Sequence, residues 1–118
     1  MNKSSYSILS IDDDPIILKV LEDLVTRAGY HSMTTTSGEE ALHLAVDRKF
    51  AVIIADHNMP DMMGSELLSR IARIQPSSSR ILITGIKSLD VVTSAMMTAN
   101  FRSTARCSAS SPLVVVMD

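Results

Sequence analysis

The chain has 118 residues, of which 46% are hydrophobic and 20% are charged, and its formal net charge is −2. This length suits one domain with a buried core and is too short for two, and the composition excludes a disordered chain. The charge argues against a nucleic-acid surface, and the single cysteine, Cys107, excludes an internal disulfide. We expect a cytoplasmic protein, because residues 1–7 lack a signal-peptide core and no apolar run reaches the roughly 20 residues that cross a membrane.

The chain begins with a predicted strand–helix unit. A β-rich run at 6–11 predicts the first strand, and Asp14-Pro15 predicts the start of a helix that Gly29 ends. The apolar residues that follow at helical spacing are Ile17, Val20, Leu21, Leu24 and Ala28. A short second strand is predicted at 31–35.

Two further helices flank the most apolar strand. Ser37, three residues before Glu40, forms a capping box that predicts the second helix. One face of this helix is expected to carry Ala41, Leu42, Ala45 and Val46. The run at 51–55 does not alternate, which is typical of a strand covered on both faces in a parallel sheet. A loop with Pro60 and Gly64 leads to the third helix, whose apolar residues are Leu67, Leu68, Ile71 and Ile74.

The repeated strand–helix order predicts the fold class. A fourth strand is predicted at 80–84, and Ser88 or Asp90 starts a fourth helix. Four such units predict right-handed βαβ connections and an α/β, flavodoxin-like, doubly wound parallel sheet of strand order 2-1-3-4-5. We expect a single domain over 1–118, although residues 101–118 do not continue the pattern.

Carboxylates follow two strands that this order makes neighbours. Asp12 and Asp13 follow the first strand, and Asp56 follows the third. Because the carboxyl ends of parallel strands meet at one edge of the sheet, we expect these three side chains to converge. Their mutual repulsion requires a neutralising cation, and oxygen ligands of this kind suit Mg²⁺ at ~2.1 Å. The carbonyl of Asn58 is a candidate further ligand.

The same edge offers a nucleophile. The carboxylate of Asp56 can attack phosphorus and form an acyl phosphate. The hydroxyl of Thr84, at the end of the fourth strand, can hydrogen-bond a phosphoryl oxygen there, and Gly85 leaves room for the group. The neighbouring acid Asp14 has a simpler interpretation, as the N-cap of a helix. We interpret His57 as a solvated loop residue, because no other His or Cys lies close in sequence.

These motifs together resemble the receiver domain of bacterial two-component response regulators, over about residues 6–100. The resemblance rests on Asp12-Asp13, on DHNMP at 56–60, on Gly64 and on Thr84-Gly85. It implies a signalling module rather than an enzyme, with Asp56 as phosphoacceptor, Asp12 and Asp13 as the acidic Mg²⁺ pair, and Thr84 as the switch hydroxyl. It also implies a phosphohistidine donor on a sensor kinase or phosphotransfer protein, and a downstream output protein or domain.

The C-terminal segment departs from that family. Receivers carry a fifth strand that ends in Lys-Pro, and then a fifth helix, and their lysine binds the phosphoryl group as a point charge. Counting from Asn100 places the lysine position at Arg106 or Cys107 and the preceding aromatic position at Thr104. Arg106 can replace the lysine, Lys87 can supply the charge instead, or the segment is degenerate and phosphorylation is impaired. We prefer the third interpretation.

The unusual C-terminal segment also affects the predicted fold and the predicted oligomeric state. The β-rich run at 113–117 predicts a displaced fifth strand or an exchanged segment, and we expect no fifth helix. An apolar patch left uncovered there favours a homodimer through the C-terminal region.

We consider three candidate functions for this sequence. The first is a phosphorylatable signalling switch, and the second is a degenerate receiver that acts as a non-phosphorylated protein-binding module. The third, a flavodoxin-like phosphatase or FMN protein, is disfavoured. Asn58 stands where a phosphatase would place its general acid, and no Gly/Ser/Thr-rich phosphate loop follows the first strand.

Overall fold

The computed structural model describes residues 5–83 and 113–116. Strands and helices alternate in chain order: β1 (Ser7–Ile11), α1 (Pro15–Arg27), β2 (His31–Thr35), α2 (Gly38–Asp47), β3 (Val52–Asp56), α3 (Gly64–Ile74), β4 (Ser79–Ile83) and β5 (Leu113–Val116). The predicted alternation is therefore confirmed as far as β4. The predicted fourth helix and the predicted absence of a fifth helix concern residues outside the described ranges. Among the described helices, none has the length and apolarity to span a bilayer.

The five strands form one parallel sheet in the order β2-β1-β3-β4-β5, as the sequence predicted. The displaced strand predicted at 113–117 is β5, and it pairs with β4 of the same chain, so that Val116 lies opposite Ile83. Ile83 in turn lies opposite Asp56 of β3. The ends of β3, β4 and β5 are thus level with one another.

The bounds of three strands differ from the prediction by one residue. β1 begins at Ser7 and β4 begins at Ser79, whereas the predicted end of β4 at Thr84 lies outside the described residues. β3 begins at Val52 and includes Asp56. The reason is that the pairing continues past the apolar run: the amide of His57 donates to the carbonyl of Ile83 at 2.9 Å. Asp56 is therefore held inside the sheet rather than in the loop that follows it.

The predicted helix ends are present, with one change in the capping box. Asp14 accepts a hydrogen bond from the amide of Ile16, and Gly29 ends α1 with a φ of 95°. Ser37 Oγ accepts from the amide of Glu40 at 3.2 Å. The Glu40 carboxylate does not complete the box; it accepts from the hydroxyl of Thr35 instead.

Three apolar residues of the predicted helix patterns are exposed. Val20 is 37% exposed, Val46 is 69% exposed and Ile74 is 40% exposed. In α1 the buried stripe is Leu18, Leu21 and Val25, so the helix is rotated relative to the prediction. Val46 and Ile74 instead line a groove between α2 and α3, beyond the sheet.

The core has one cluster on each face of the sheet. α1 packs Leu21 and Val25 against one face, with Ile8 and Ile54. α2 and α3 cover the other face, where their side chains meet Leu9 and Ile53. Both faces of β3 are therefore covered, as its unbroken apolar run predicted.

Gln75, at the end of α3, hydrogen-bonds the end of α2 and the residues that precede β3, at the amino edge of the sheet. It is 7% exposed, and its Oε1 accepts from the amide of Phe50 at 2.9 Å. Its Nε2 donates to the carbonyls of Ala45, at 2.7 Å, and of Arg48.

We expect Gln75→Ala to lower the free energy of unfolding by about 2–4 kcal/mol, because it leaves buried backbone groups without partners. Urea denaturation followed by circular dichroism measures this. Ser77→Ala, at an exposed position nearby, is the control, and an equal effect of the two substitutions would refute the role of Gln75.

Candidate functional site

Three carboxylates converge at the carboxyl edge of the sheet. Asp12 and Asp13 follow β1, and Asp56 ends β3, which is the neighbour of β1. One carboxylate oxygen from each residue lies within 4.8 Å of the other two. Asp12 is 6% exposed, Asp56 is half-buried and Asp13 is exposed, so the cluster opens to solvent on the side of Asp13. The structure thus brings together the three acids that the sequence placed at one edge.

Backbone hydrogen bonds orient the most buried member of this cluster. Asp12 Oδ1 accepts from the amide of Asp14 at 2.9 Å, and the amide of Asp12 donates to the carbonyl of Thr35 at 3.2 Å. The backbone amides of His57 and Asn58 lie near the carboxylate of Asp56 and oppose the rise in its pKa. The carboxylate of Asp12 is thus held by the fold before any ligand binds.

The site raises the pKa of two of its carboxyl groups, Asp12 and Asp56. Burial raises the pKa of Asp12 from 3.8 to about 6; the charges of Asp56 and Asp13 add to the rise, and the hydrogen bond from Asp14 opposes it. Burial also raises the pKa of Asp56, with a further contribution from Asp13. A divalent cation among these oxygens would relieve the repulsion, and hard oxygen donors fit Mg²⁺.

Gly64 allows the start of α3 to approach Asp56. A Cβ at this position would lie 2.0 Å from the carbonyl oxygen of Asp56 and 2.9 Å from Leu82 Cδ1. The amide of Gly64 also donates to the carbonyl of His57 at 2.9 Å, which closes the loop 57–63 at its base. The sequence marked Gly64 as part of a motif but gave no indication of this close contact.

The sequence predicts His57 to be a solvated loop residue, but the structure buries it in part. The residue is half-buried, and its Nδ1 is buried without a hydrogen-bond partner among the described residues. The cause is its backbone, which is bonded on both sides, to Ile83 and to Gly64, and so draws the residue into the end of the sheet. His57 does not belong to the acidic cluster.

The remaining predicted site residues are placed only in part. Asn58 is exposed, and its backbone amide lies near the Asp56 carboxylate. Thr84 and Arg106, together with the alternatives Lys87, Thr104 and Cys107, lie outside the described residues. The strand that pairs with β4 begins at Leu113, so Arg106 precedes this strand instead of following it.

Asp61 was not predicted, and it connects the loop 57–63 to α2. Its Oδ2 accepts from the amide of Glu39 at 3.2 Å and from the hydroxyl of Ser37 at 3.3 Å. Because these partners are more than twenty positions away in the chain, no local sequence pattern indicates the contact.

Comparison with known proteins agrees with this geometry. The family model of the response regulator receiver domain matches residues 8–103. The two-component response regulator ARR11 of Arabidopsis thaliana is 40% identical over 78 residues, which cover 60% of this chain and 15% of ARR11. The transcriptional regulatory protein GlrR of Escherichia coli K12 is 34% identical over 84 residues, which cover 71% of this chain and 19% of GlrR. The chain thus spans less than a fifth of the length of either relative.

Solved structures show the same fold. The signal receiver domain of an HD domain-containing protein from Pseudomonas fluorescens Pf-5 superposes with a TM-score of 0.66 at 30% identity, covering 81% of this chain and 69% of that one. The response regulator TrrA of Thermotoga maritima, solved in complex with Mg²⁺ and BeF, gives a TM-score of 0.68 at 26% identity. That likeness covers 96% of this chain and 86% of TrrA.

Proposed function

This chain belongs to the response regulator receiver domain family, and we propose that it accepts a phosphoryl group on Asp56 in a Mg²⁺-dependent reaction. The observation that carries the proposal is the convergence of the carboxylates of Asp12, Asp13 and Asp56 within 4.8 Å. Receiver domains are signalling modules, so the reaction serves to switch a protein-interaction surface.

The residues take distinct roles in the proposed transfer. A carboxylate oxygen of Asp56 attacks the phosphorus of a phosphohistidine; the new P–O bond forms as the P–N bond breaks, and the imidazole leaves with the electron pair. Asp12, Asp13, Asp56 and the carbonyl of Asn58 would hold Mg²⁺, which supplies positive charge against the repulsion between the two anions. The amides of His57 and Asn58 lie near the Asp56 carboxylate and oppose the rise in its pKa. The hydroxyl of Thr84 would hydrogen-bond the new phosphoryl group.

The partners follow from this chemistry. The donor is a sensor histidine kinase or a phosphotransfer protein. The phosphoryl group adds about two negative charges at Asp56, which biases the surface around Thr84 toward a downstream output protein or domain. The chain itself has no direct role with nucleic acid or membrane in this proposal. A cytoplasmic location and a homodimer through the C-terminal region, both expected from the sequence, belong to the proposal as well.

Intact-mass spectrometry after incubation with Mg²⁺ and acetyl phosphate tests the proposed function. We expect a gain of one phosphoryl group that is lost in Asp56→Asn and in the presence of a chelator. Asp47→Asn, which removes an exposed carboxylate at the end of α2, should keep the gain. A wild-type protein that gains no mass would contradict phosphoacceptance and favour the alternative, a degenerate receiver that acts as a non-phosphorylated protein-binding module.

A further variant addresses the missing lysine. Val116 ends β5 at the level of Asp56, and the sequence continues with Met117 and Asp118, neither of which carries a positive charge. Because receivers place their lysine at the end of this strand, we expect Met117→Lys to be phosphorylated faster than the wild type. An unchanged rate in Met117→Lys would show that the charge missing after β5 does not limit the reaction.

A further inference from the structure

The first turn of α2 contacts the loop 57–63 on one side and Thr35, at the end of β2, on the other. On one side, Asp61 of the loop 57–63 accepts from Glu39 and Ser37, at 3.2 and 3.3 Å. Gly38 lets the loop come this close, since a Cβ there would lie 3.3 Å from Met62 Cβ and 3.6 Å from the Asp61 carboxylate.

The other side of the same turn is bonded to Thr35, which in turn is bonded to Asp12. Thr35 Oγ1 accepts from the amide of Ser37 at 3.2 Å, and its hydroxyl donates to the Glu40 carboxylate. The carbonyl of Thr35 accepts from the amide of Asp12 at 3.2 Å. A continuous path of hydrogen bonds therefore runs from Asp12 through Thr35 and Ser37 to Asp61.

The loop 57–63 carries Asn58, the candidate Mg²⁺ ligand that follows Asp56, and it is held in place by contacts of two kinds. Its base is closed by the hydrogen bond from Gly64 to His57, and Met59, 7% exposed, packs its middle into the core. Apolar packing of this sort restrains position but not the direction of backbone groups. Asp61 adds two directional hydrogen bonds, and its charge lies at the N-terminus of a helix, where it is stabilised.

We propose that Asp61 is a positioning residue for phosphorylation of Asp56: by fixing the loop 57–63 to the first turn of α2, it holds Asn58 in place for Mg²⁺ and for the Asp56 carboxylate. This inference rests on the proposed function. Asp61 itself contacts neither the phosphoryl donor nor the cation. Residues that hold a metal ligand in place without binding the metal themselves typically lower metal affinity or activity by about tenfold or more when they are replaced.

The test compares Asp61→Asn, which keeps an acceptor oxygen, with Asp61→Leu, which has similar size and no acceptor. The rate of phosphorylation by acetyl phosphate is measured as a function of Mg²⁺ concentration. We expect Asp61→Leu to need about tenfold more Mg²⁺ for its half-maximal rate, and Asp61→Asn to behave like the wild type. Asp47→Leu, at an exposed position at the other end of α2, is the control for a general effect of losing a surface carboxylate. Equal Mg²⁺ dependence of Asp61→Leu and Asp47→Leu would overturn the inference.

A second readout separates this inference from the proposed function. Hydrogen exchange at the amides of His57 and Gly64 needs neither Mg²⁺ nor a phosphodonor, and these amides are hydrogen-bonded at the two ends of the loop, to Ile83 and to His57. Faster exchange in Asp61→Leu than in Asp61→Asn supports the positioning role even if the wild type accepts no phosphoryl group, and equal exchange refutes it. Failure of the wild type to gain a phosphoryl group, by contrast, counts against the proposed function alone.

Discussion

Asp12→Asn is expected to make the metal-free protein more stable at neutral pH and to remove its stabilisation by Mg²⁺. The Asp12 carboxyl is 6% exposed, and its pKa is raised from 3.8 to about 6, chiefly by burial. Between these two values the folded state holds a proton that the unfolded chain has released. The contribution of Asp12 to stability is therefore greatest below about pH 4 and is lost as the pH rises through about 6.

The size of this effect follows from the shift in pKa. A shift from 3.8 to about 6 corresponds to at most about 3 kcal/mol, and the open side of the cluster near Asp13 reduces it. Asparagine removes the charge and keeps Oδ1, so the hydrogen bond from Asp14 survives. We expect a gain of about 1–3 kcal/mol for Asp12→Asn at pH 7.5 without Mg²⁺.

Urea unfolding at pH 5 and pH 7.5, with and without Mg²⁺, measures both effects. The wild type should lose stability between these pH values and regain it on addition of Mg²⁺, whereas Asp12→Asn should show a weaker pH dependence and no response to Mg²⁺. Asp47→Asn should follow the wild type, because that carboxylate is exposed. The same pH slope in Asp12→Asn and the wild type would contradict the buried-acid explanation.

Gly64→Ala is expected to be among the most destabilising single substitutions in the described part of the chain, at about 3–5 kcal/mol. Its Cβ would lie 2.0 Å from the carbonyl oxygen of Asp56, which is backbone inside the sheet and cannot move as the end of a flexible side chain can. Either α3 or the end of β3 must shift, and a shift of β3 moves Asp56 away from Asp12. We therefore expect the variant to lose both stability and response to Mg²⁺.

Gly38→Ala is the matched control for that substitution. Gly38 begins α2 as Gly64 begins α3, but the nearest atom to its Cβ would be Met62 Cβ at 3.3 Å, a side-chain contact that a small adjustment relieves. Urea unfolding of the two variants side by side isolates the backbone clash. Equal stability of the two would mean that the close approach of α3 to Asp56 is not a constraint on this fold.

The sheet and the acidic cluster were predictable because both depend on local patterns and on strand order. The unbroken apolar run in β3, the caps at Asp14 and Ser37, and Gly29 each carry a local signal. Once the strands are ordered, the convergence of acids after β1 and β3 follows from the geometry of a parallel sheet.

The features that the sequence did not indicate depend on contacts between distant segments. α1 carries apolar residues on several sides, so only the position of the sheet decides that Leu18 rather than Val20 is buried. The approach of Gly64 to Asp56 and the bonds of Asp61 to α2 join segments that no periodicity relates. The count from Asn100 assumed a connection of ordinary length, whereas β5 begins only at Leu113.

A crystal structure of the wild-type protein grown with Mg²⁺ and beryllium fluoride, an analogue of the phosphoryl group, tests the central claim most directly. The account predicts one Mg²⁺ in contact with carboxylate oxygens of Asp12, Asp13 and Asp56, and the fluoride group on Asp56. An ion bound elsewhere, or these three side chains pointing apart without a shared ligand, would contradict it.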